Sequence, residues 1–487
     1  MTSRETLALA VVAAPALTAL AAAAVPARAV GRVAAGGALV AAAAAGALAT
    51  VSLARPGRAL VEHWLVVDPA AGLLTGVIGA IGLASALVSP AYLRTASTGL
   101  VRAKHRDRVY YVLLFAFWAV LAAVPLVGNL GGAWLLVEAT TAASALLVGF
   151  NGRPRALEAG WKYLILTSLG LGVALLGIVL LAAGSAHGGL DVLSWHDLGR
   201  IRPGREQTLV AYLLLLAGLA AKIGWAPVHN WLPDAHSEAP APVSALLSAA
   251  LLPAVLLVAW RSSRALAPAV GESTARSVLV GFGLLSLAVA VPFLWRPLPW
   301  KRLLAYSSLE HMGVIALGIG FGTPLALAGV AVHIAGHAAA KALGFYAAVP
   351  LLAHEPRAAG HAVGGVARSE PMLGTAMGVS LGALAGLPPS PLFASEVLIV
   401  AGGFAAGRPW AAGASALLLA LGFLGLAQAL IETLAGKTGR RERSPALGLR
   451  GVAVLAPVTA AALLALAAAA LWLPGSSIAR ALAEGIR

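Results

Sequence analysis

The stretch KIGWAPVHNWLPDAH, residues 222–236, decides the fold, because it interrupts an apolar segment that is long enough to cross a membrane. Pro227 and Pro233 cannot continue an α-helix, since proline lacks the amide hydrogen and clashes with the preceding turn. A second stretch, GLPPSPLFASE (386–396), places three prolines and a glycine in a later apolar segment. Irregular backbone is tolerated at membrane depth where protein covers it or where it lines a hydrated cavity. We therefore predict two broken transmembrane helices.

The rest of the chain is as apolar as the segments around these breaks. Of its 487 residues, 60% are hydrophobic and only 11% are charged, which is the composition of an integral membrane protein. We count about fourteen apolar segments of spanning length, so the predicted fold class is all-α integral membrane. The chain has no cysteine, which excludes disulfides and cysteine-ligated iron–sulfur clusters. The net charge of +15 is scattered between apolar runs, as in membrane loops rather than in nucleic-acid-binding proteins.

The two breaks also predict an internal repeat. They lie five spans apart, in the seventh and twelfth segments, so the two broken helices run in opposite directions. The same shift carries Glu138, in the fifth segment, onto Glu310, in the tenth. This agreement predicts two inverted five-helix repeats. The predicted units are three N-terminal helices over residues 1–105, a first repeat over 106–265, a second, inverted repeat over 266–436, and a last helix with its tail over 437–487.

Ionisable side chains recur inside the apolar segments, where each charge opposes insertion by at least about 2.5–3.5 kcal/mol. They must therefore pair with each other, face the interior of the bundle or contact water. A buried lysine or glutamate can titrate near neutrality, as histidine does in water, so successive groups of this kind can pass a proton along. The predicted proton-transfer residues are Glu138, Lys222, Glu310, His311, His333, His337, Lys341 and Glu396.

Two smaller groups of residues have alternative interpretations. In HIAGHAAAKAL (333–343), two histidines four residues apart have the spacing of a zinc site, but a nearby lysine and the lack of an HExxH glutamate disfavour one. We predict no metal and no cofactor. A second group surrounds the breaks, and we expect its members Asp234 and His236 to cap the broken helix. This group comprises Pro227, His229, Pro233, Asp234, His236, Glu238, Pro388 and Pro389.

These stretches, together with KRLLAYSSLEHMGVIALGIG (301–320), closely resemble the antiporter-like subunits of respiratory complex I and their relatives in Mrp-type cation/proton antiporters and membrane-bound nickel–iron hydrogenases. LGGAWLLVEATTAASALLVGF and AHSEAPAPVSALLS look most like the hydrogenase-4 or formate hydrogenlyase branch, component F. The resemblance begins near residue 65 and continues along nearly the whole remaining chain. It implies a fourteen-helix bundle with two inverted five-helix repeats.

The resemblance also implies roles for individual residues. Glu138 matches the fifth-span glutamate of the family and Lys222 its broken-helix lysine, while the 333–343 segment supplies the central hydrophilic axis. Glu396 takes the position after the second break, where family members carry lysine or glutamate. Ser248 stands where some complex I members place a histidine, and we expect the Glu310–His311 pair to bridge the half-channels instead.

By this resemblance the chain is a proton-translocating, non-catalytic membrane subunit of a redox-driven complex in the bacterial cytoplasmic membrane. Its expected partners are other membrane subunits, a peripheral redox module and the lipid bilayer, with no nucleic acid; a nickel–iron hydrogenase is one candidate for the redox module. The distribution of Lys and Arg over the loops favours both termini outside. Three alternatives stay open: an Mrp-type antiporter subunit driven by ion gradients, a membrane subunit of an inorganic-carbon uptake complex, and a structural scaffold.

Overall fold

The computed structural model describes residues 3–55, 59–61, 64–95, 105–184, 193–198, 204–354, 364–436 and 446–476. Nearly all of this part is helical, with one short antiparallel ribbon, β1 (Ala59–Val61) and β2 (Leu65–Val67). The helices are α1 (Ser3–Ala24), α2 (Val30–Ala54), α3 (Pro69–Thr95), α4 (Arg106–Ala123), α5 (Leu130–Val148), α6 (Pro154–Ala183), α7 (Arg205–Ile223), α8 (Leu232–Glu238), α9 (Ala241–Leu246), α10 (Leu252–Val270), α11 (Glu272–Leu294), α12 (Trp300–Phe321), α13 (Pro324–His354), α14 (Val366–Ser369), α15 (Pro371–Leu384), α16 (Pro391–Ala405), α17 (Pro409–Ala435) and α18 (Ala446–Trp472).

Thirteen helical stretches within these ranges are long and apolar enough to cross a membrane. One of them, Ala241–Val270, joins α9 and α10 through a π-helical turn. The twelfth predicted span consists of two shorter apolar helices, α15 and α16. The predicted all-α membrane fold with two broken helices is therefore confirmed. The inverted repeats and the domain boundaries stay predictions, and the connector 437–445 and the tail 477–487 lie outside the described residues.

The first break forms because α7 ends in a Schellman motif. Gly224 follows the last helical residue, Ile223, with a φ of 80°, a conformation that favours glycine. The backbone N–H of Trp225 then donates to the carbonyl of Ala220 at 3.0 Å. The chain resumes as α8, where Pro233 lies in the first turn and its missing N–H leaves no gap in the helix.

The second break repeats this local structure. Gly386 follows α15 with a φ of 73°, and the N–H of Leu387 donates to the carbonyl of Gly382 at 3.0 Å. The chain resumes as α16, whose N-terminus is capped by the side chain of Ser390. The same helix-ending motif at both breaks supports the prediction that the two helices are equivalent members of a repeat.

The most deeply buried helices form the middle of the bundle. The window of α12 that could span a membrane is buried along its whole length, as is that of the α9–α10 stretch, and α13 is mostly buried. In contrast, a third or less of the corresponding windows of α1, α2, α17 and α18 is buried, so these helices lie at the periphery. Because α13 packs against α12 and α16, the ionisable residues of these three helices lie together in the interior.

A buried ion pair ties α3 to α10. Arg261 donates to the carboxylate of Asp68 at 2.7 Å, and the two side chains are 4% and 2% exposed. The Asp68 carboxylate also accepts a hydrogen bond from the N–H of Ala71, while Arg261 donates to the carbonyl of Pro125 at 2.8 Å. The pair therefore fixes the start of α3, the turn after α4 that contains Pro125, and the middle of α10 relative to one another.

Candidate functional site

Lys222 is fully buried in the last turn of α7, directly before the first break. Its ammonium donates hydrogen bonds to the hydroxyl of Thr141 at 2.7 Å and to that of Tyr163 at 2.5 Å. The ammonium also lies 4.4 Å from the centroid of the Tyr163 ring, close enough for a cation–π contact. The direct hydrogen-bond partners of Lys222 are thus neutral hydroxyls.

Glu138 lies one turn before Thr141 on α5 and is partly buried. One carboxylate oxygen accepts a hydrogen bond from Ser168 on α6 at 2.6 Å, and the other, buried oxygen has no partner. Glu138 and Lys222, both within the described residues, form no ion pair, although they interact electrostatically. The carboxylate and the ammonium are therefore neighbours without direct contact.

Lys341 on α13 has surroundings of the same kind as Lys222. It is fully buried, and its ammonium donates to the carbonyl of Leu304 and to the hydroxyl of Ser307, both on α12. An amine donates to such oxygens whether it is protonated or neutral. Both buried lysines can therefore gain or lose a proton without breaking an ion pair.

His311 on α12, His333 on α13 and Ser395 on α16 form a hydrogen-bond chain across three helices. We assign the Ser395 hydroxyl as the donor to the carbonyl of Leu392 at 2.8 Å and as the acceptor from Nδ1–H of His333, 2.8 Å away. Nε2 of His333 then accepts from Nδ1–H of His311 at 3.1 Å. This assignment leaves Nε2 of His311, which is buried and has no partner, as a free lone pair.

Two further buried histidines make no hydrogen bonds to the described residues. Both ring nitrogens of His337 lack a partner, and its ring centroid is 5.1 Å from that of His311. Both nitrogens of His236 also lack one, and that ring packs edge-on against two aromatic rings. His236 interacts electrostatically with His337 and with Lys341. Buried polar atoms of this kind are normally satisfied by ordered water.

Two carboxylates lie beside the histidines. Glu310 on α12 is buried against α17, where a Cβ added to Gly422 would lie 2.1 Å from its Oε1. Glu396 on α16 is partly buried and folds over the second break, since a Cβ on Gly386 would lie 2.9 Å from its Oε2. Glu310 interacts electrostatically with both Glu396 and Lys341.

These side chains extend from α5 to α16 and together form what we call the buried axis. All eight predicted proton-transfer residues belong to it, and the structure adds His236. The members at its two ends, Glu138 and Glu396, are partly buried, whereas those between them are buried. The axis comprises Glu138, Lys222, His236, His337, Lys341, His311, His333, Glu310 and Glu396.

Asp234 does not make the capping contact that the sequence predicted. Its carboxylate accepts from Lys162 at 3.4 Å and from Arg302 at 3.1 Å, and α8 has no side-chain cap at its N-terminus. The expectation that Asp234 and His236 cap the broken helix is therefore wrong. The carboxylate instead links α8 to two basic side chains on α6 and α12.

Lys301 caps the C-terminal end of α8. It is buried, and its ammonium donates to the carbonyls of Ser237 at 2.8 Å and Ala239 at 2.5 Å. These carbonyls lie at the end of a short helix, where a cation is favoured. The break loops themselves reach the surface of the protein, since Pro227, Pro388 and Pro389 are exposed and His229 and Glu238 are partly buried.

A protein-family model described as "NADH:quinone oxidoreductase/Mrp antiporter, TM" matches residues 106–422. The chain belongs to this family. The match includes both breaks and every predicted proton-transfer residue. The protein is thus an antiporter-like, multi-pass membrane subunit.

Two relatives and one solved structure illustrate how far the similarity extends. A hydrogenase-4 component F homolog of Methylacidiphilum infernorum (isolate V4) is 34% identical over 303 residues, 61% of this chain and 63% of the relative. The chain therefore spans less than two thirds of that relative. NADH-quinone oxidoreductase subunit N of Desulforudis audaxviator (strain MP104C) is 29% identical over 375 residues, 74% of this chain and 71% of the relative. A solved chain of the Mrp complex from Dietzia sp. DQ12-45-1b shares the fold, with a TM-score of 0.84, 20% identity, and coverage of 100% and 98%.

The hydroxyl partners of the axis were not identified from the sequence. Thr141, Tyr163, Ser307 and Ser395 each contact an axis residue on another helix. Serine and threonine in apolar helices commonly bond back to their own helix, so their type alone carries no signal. Spacing helps only for Thr141, which lies three residues after Glu138 and therefore on the same face of α5.

Proposed function

We propose that the chain moves protons within the membrane along the buried axis, as one membrane subunit of a redox-driven complex. The observation that carries this proposal is that nine ionisable side chains lie on helices α5, α7, α8, α12, α13 and α16 around and between the two breaks, and that seven of them are buried while Glu138 and Glu396 are partly buried. Charged groups in a membrane interior are costly and mark ion or proton pathways by default. Protons enter and leave by water near each end.

Within the axis the protonation states follow from the contacts. Lys222 and Lys341 exchange protons with water while keeping their neutral oxygen partners. A proton that arrives at Nε2 of His311 allows its Nδ1 proton to pass to Nε2 of His333, which then releases its own Nδ1 proton to the Ser395 hydroxyl. Ser395 gives up its own hydroxyl proton in return, and water carries that proton to Glu396. The imidazole chain returns to its starting state when the rings reorient. Glu310 interacts with both Lys341 and Glu396, so gain or loss of its proton changes the electrostatic potential at these two residues.

The coupling to a redox partner rests on the names of relatives. One is a hydrogenase-4 component F homolog and another is a subunit of NADH-quinone oxidoreductase. We infer that other membrane subunits and a peripheral redox module carry the electrons, with a nickel–iron hydrogenase as one candidate for that module, and that this chain has no catalytic centre. We further propose the cytoplasmic membrane, both termini outside, and two inverted repeats over residues 106–265 and 266–436.

An Mrp-type cation/proton antiporter subunit is the second candidate function. It is favoured by the similarity to the Mrp complex chain, which covers the whole of this chain. The buried axis serves either function, because both need protons to cross the interior. The two candidates differ in their partners and in their source of energy, so the partners decide between them.

Affinity purification of the tagged chain from its native membranes, with mass spectrometry of the co-purifying subunits, tests the redox coupling. We expect a quinone-linked or nickel–iron redox module among them. Small multi-span antiporter subunits without any redox protein would overturn the coupling and favour the Mrp-type function.

Proton translocation by inside-out vesicles that contain the complex tests the path itself. We expect Lys222→Ala to abolish translocation, because the central amine beside the first break is lost. Lys162→Ala is the matched control: that lysine is 47% exposed and pairs with Glu158 and Asp234. Translocation that survives in Lys222→Ala would exclude this path.

A further inference from the structure

We propose that His311, His333 and Glu396 form a binding site for a divalent transition-metal ion of the Zn²⁺ type, and that the bound ion blocks the buried axis. The blocking step rests on the proposed function, whereas binding of the ion does not. The sequence predicted no metal, and the zinc site considered there used His333 with His337. The structure brings together a different set of three side chains.

The geometry of this set suits a metal. One possible ligand atom from each of the three side chains lies within 4.8 Å of the others. The two imidazole nitrogens that face each other are 3.1 Å apart, which is near the spacing of two nitrogens that each bind Zn²⁺ at about 2.0–2.1 Å. Two histidines and one carboxylate are a common zinc ligand set that leaves a fourth position for water.

The surrounding hydrogen bonds orient the ligands. Nδ1–H of His333 is held by Ser395, which is itself fixed by the carbonyl of Leu392. This contact directs the free lone pair of Nε2 towards His311, as second-shell partners of metal-binding histidines do. For His311 to bind through Nδ1, its proton must move to Nε2. That atom is buried and makes no hydrogen bond, and the His311 ring interacts with the backbone of Leu384 at the end of α15.

The charge of the interior also favours a divalent ion. Glu396 ionises when it binds the ion as a ligand, and the nearby Glu310 carboxyl can ionise as a second counter-charge. Lys341 opposes the ion, but its ammonium is directed to Leu304 and Ser307 on another part of α12. His337, the other histidine beside His311, is not in the three-residue group. Two carboxylates and two neutral imidazoles therefore balance a charge of two.

A bound ion would occupy the space between the two rings where a proton now joins them. His311 and His333 would then each use a lone pair on the metal, so neither could pass a proton to the other. Glu396, held as a ligand, could no longer exchange its proton at the second break. We therefore expect the ion to inhibit proton movement.

The test is titration of the chelator-treated, purified full-length chain with Zn²⁺ alone, followed by calorimetry and by X-ray absorption at the zinc edge. We expect one site with nitrogen and oxygen ligands. His333→Ala and Glu396→Gln should each weaken binding by about 100-fold, the upper end of the loss seen when only an outer-shell partner is removed. His337→Ala is the control and should bind within about threefold of the parent chain, because His337 belongs to the neighbouring histidines but not to the three-residue ligand group.

Each outcome decides a separate point. Equal weakening in the control, or unchanged binding in both ligand variants, would overturn the site, and Glu396→Gln keeps the test valid if His333→Ala does not fold. Inhibition of proton translocation is then measured in vesicles of the complex. Binding without inhibition would show that the bound ion does not block proton movement, and it would count against the proposed proton route. Absence of binding would overturn the site and leave that route unaffected.

Discussion

At the scale of single residues, the buried lysines are held by oxygen atoms that carry no net charge. Lys222 donates to two hydroxyls and Lys341 to a hydroxyl and a carbonyl. A carboxylate in direct contact would instead hold each ammonium in its charged state. The absence of an ion pair at either described lysine is therefore what a group that must release its proton needs.

Removing one hydroxyl beside Lys222 tests this account. Tyr163→Phe leaves Thr141 as the direct partner of the ammonium, and a hydrogen bond to a charged group is worth about 1.5–3 kcal/mol. We expect proton translocation to slow by about tenfold or more. Proton uptake by vesicles measures the rate.

Tyr212→Phe is the control for this change. That tyrosine is equally buried, but its hydroxyl bonds to Ser263 and to the carbonyl of Ala275, away from the axis. The Tyr212 variant should translocate at the parent rate. Equal slowing in the two variants would mean that the tyrosine hydroxyls act only on stability.

The ionisable residues of the axis were predictable because each is conspicuous in an apolar segment. Their contacts were not, because they depend on how helices distant in sequence pack together. Nothing in the pattern around Lys222 distinguishes a Glu138 partner from a Thr141 partner. His236 shows the same limit: its place after Asp234 suggested a cap, whereas the fold turns it inward to the axis.

At the scale of elements, the glycines that end α7 and α15 matter as much as the prolines. The prolines predicted both breaks, but the Schellman motif at Gly224 and Gly386 sets the direction in which the chain leaves each helix. This detail was not predicted, since a glycine in an apolar segment has several possible uses. It fixes Lys222 in the last turn of α7 and brings Glu396 against Gly386.

Gly224→Ala should destabilise the first break. The φ of 80° is unfavourable for alanine by about 1–2 kcal/mol, and the new Cβ would lie 2.4 Å from Cδ1 of Leu232. Gly407→Ala is matched in backbone, with a φ of 70°, but meets nothing within 4 Å. We expect a lower thermal midpoint for Gly224→Ala than for Gly407→Ala in detergent. Equal midpoints would show that the contact with Leu232 is unimportant.

The buried Asp68–Arg261 pair joins elements that no sequence pattern connects, because its members are 193 residues apart. Arg261→Ala leaves the carboxylate buried without its cation, so we expect a loss of about 3–5 kcal/mol in the free energy of unfolding. Chemical unfolding in detergent measures this loss.

Arg276→Ala provides the comparison, since it removes an exposed pair with Glu272 at 3.1 Å that should be worth less than about 1 kcal/mol. Adding Asp68→Asn to Arg261→Ala should recover part of the stability, because the uncompensated charge is then gone. A single variant Arg261→Ala as stable as Arg276→Ala would contradict the structural role of the pair.

At the scale of the whole molecule, the fold places the most buried helices and the most polar interior together. The α9–α10 stretch, α12 and α13 are surrounded by other helices, so the axis residues of α12 and α13 are enclosed by protein. Fold class and break positions followed from composition and proline placement. The added short ribbon and the position of each axis residue required the packed structure.

The most direct test of the central claim is proton translocation by vesicles that carry Lys341→Ala, with turnover of the co-purifying complex measured in the same sample. Lys341 lies in the buried middle of the axis, near His337 and Glu310. No other lysine on α13 can replace it. We predict an assembled complex whose protons moved per turnover fall well below the parent value. An unchanged ratio in an assembled complex would show that protons do not pass through this axis.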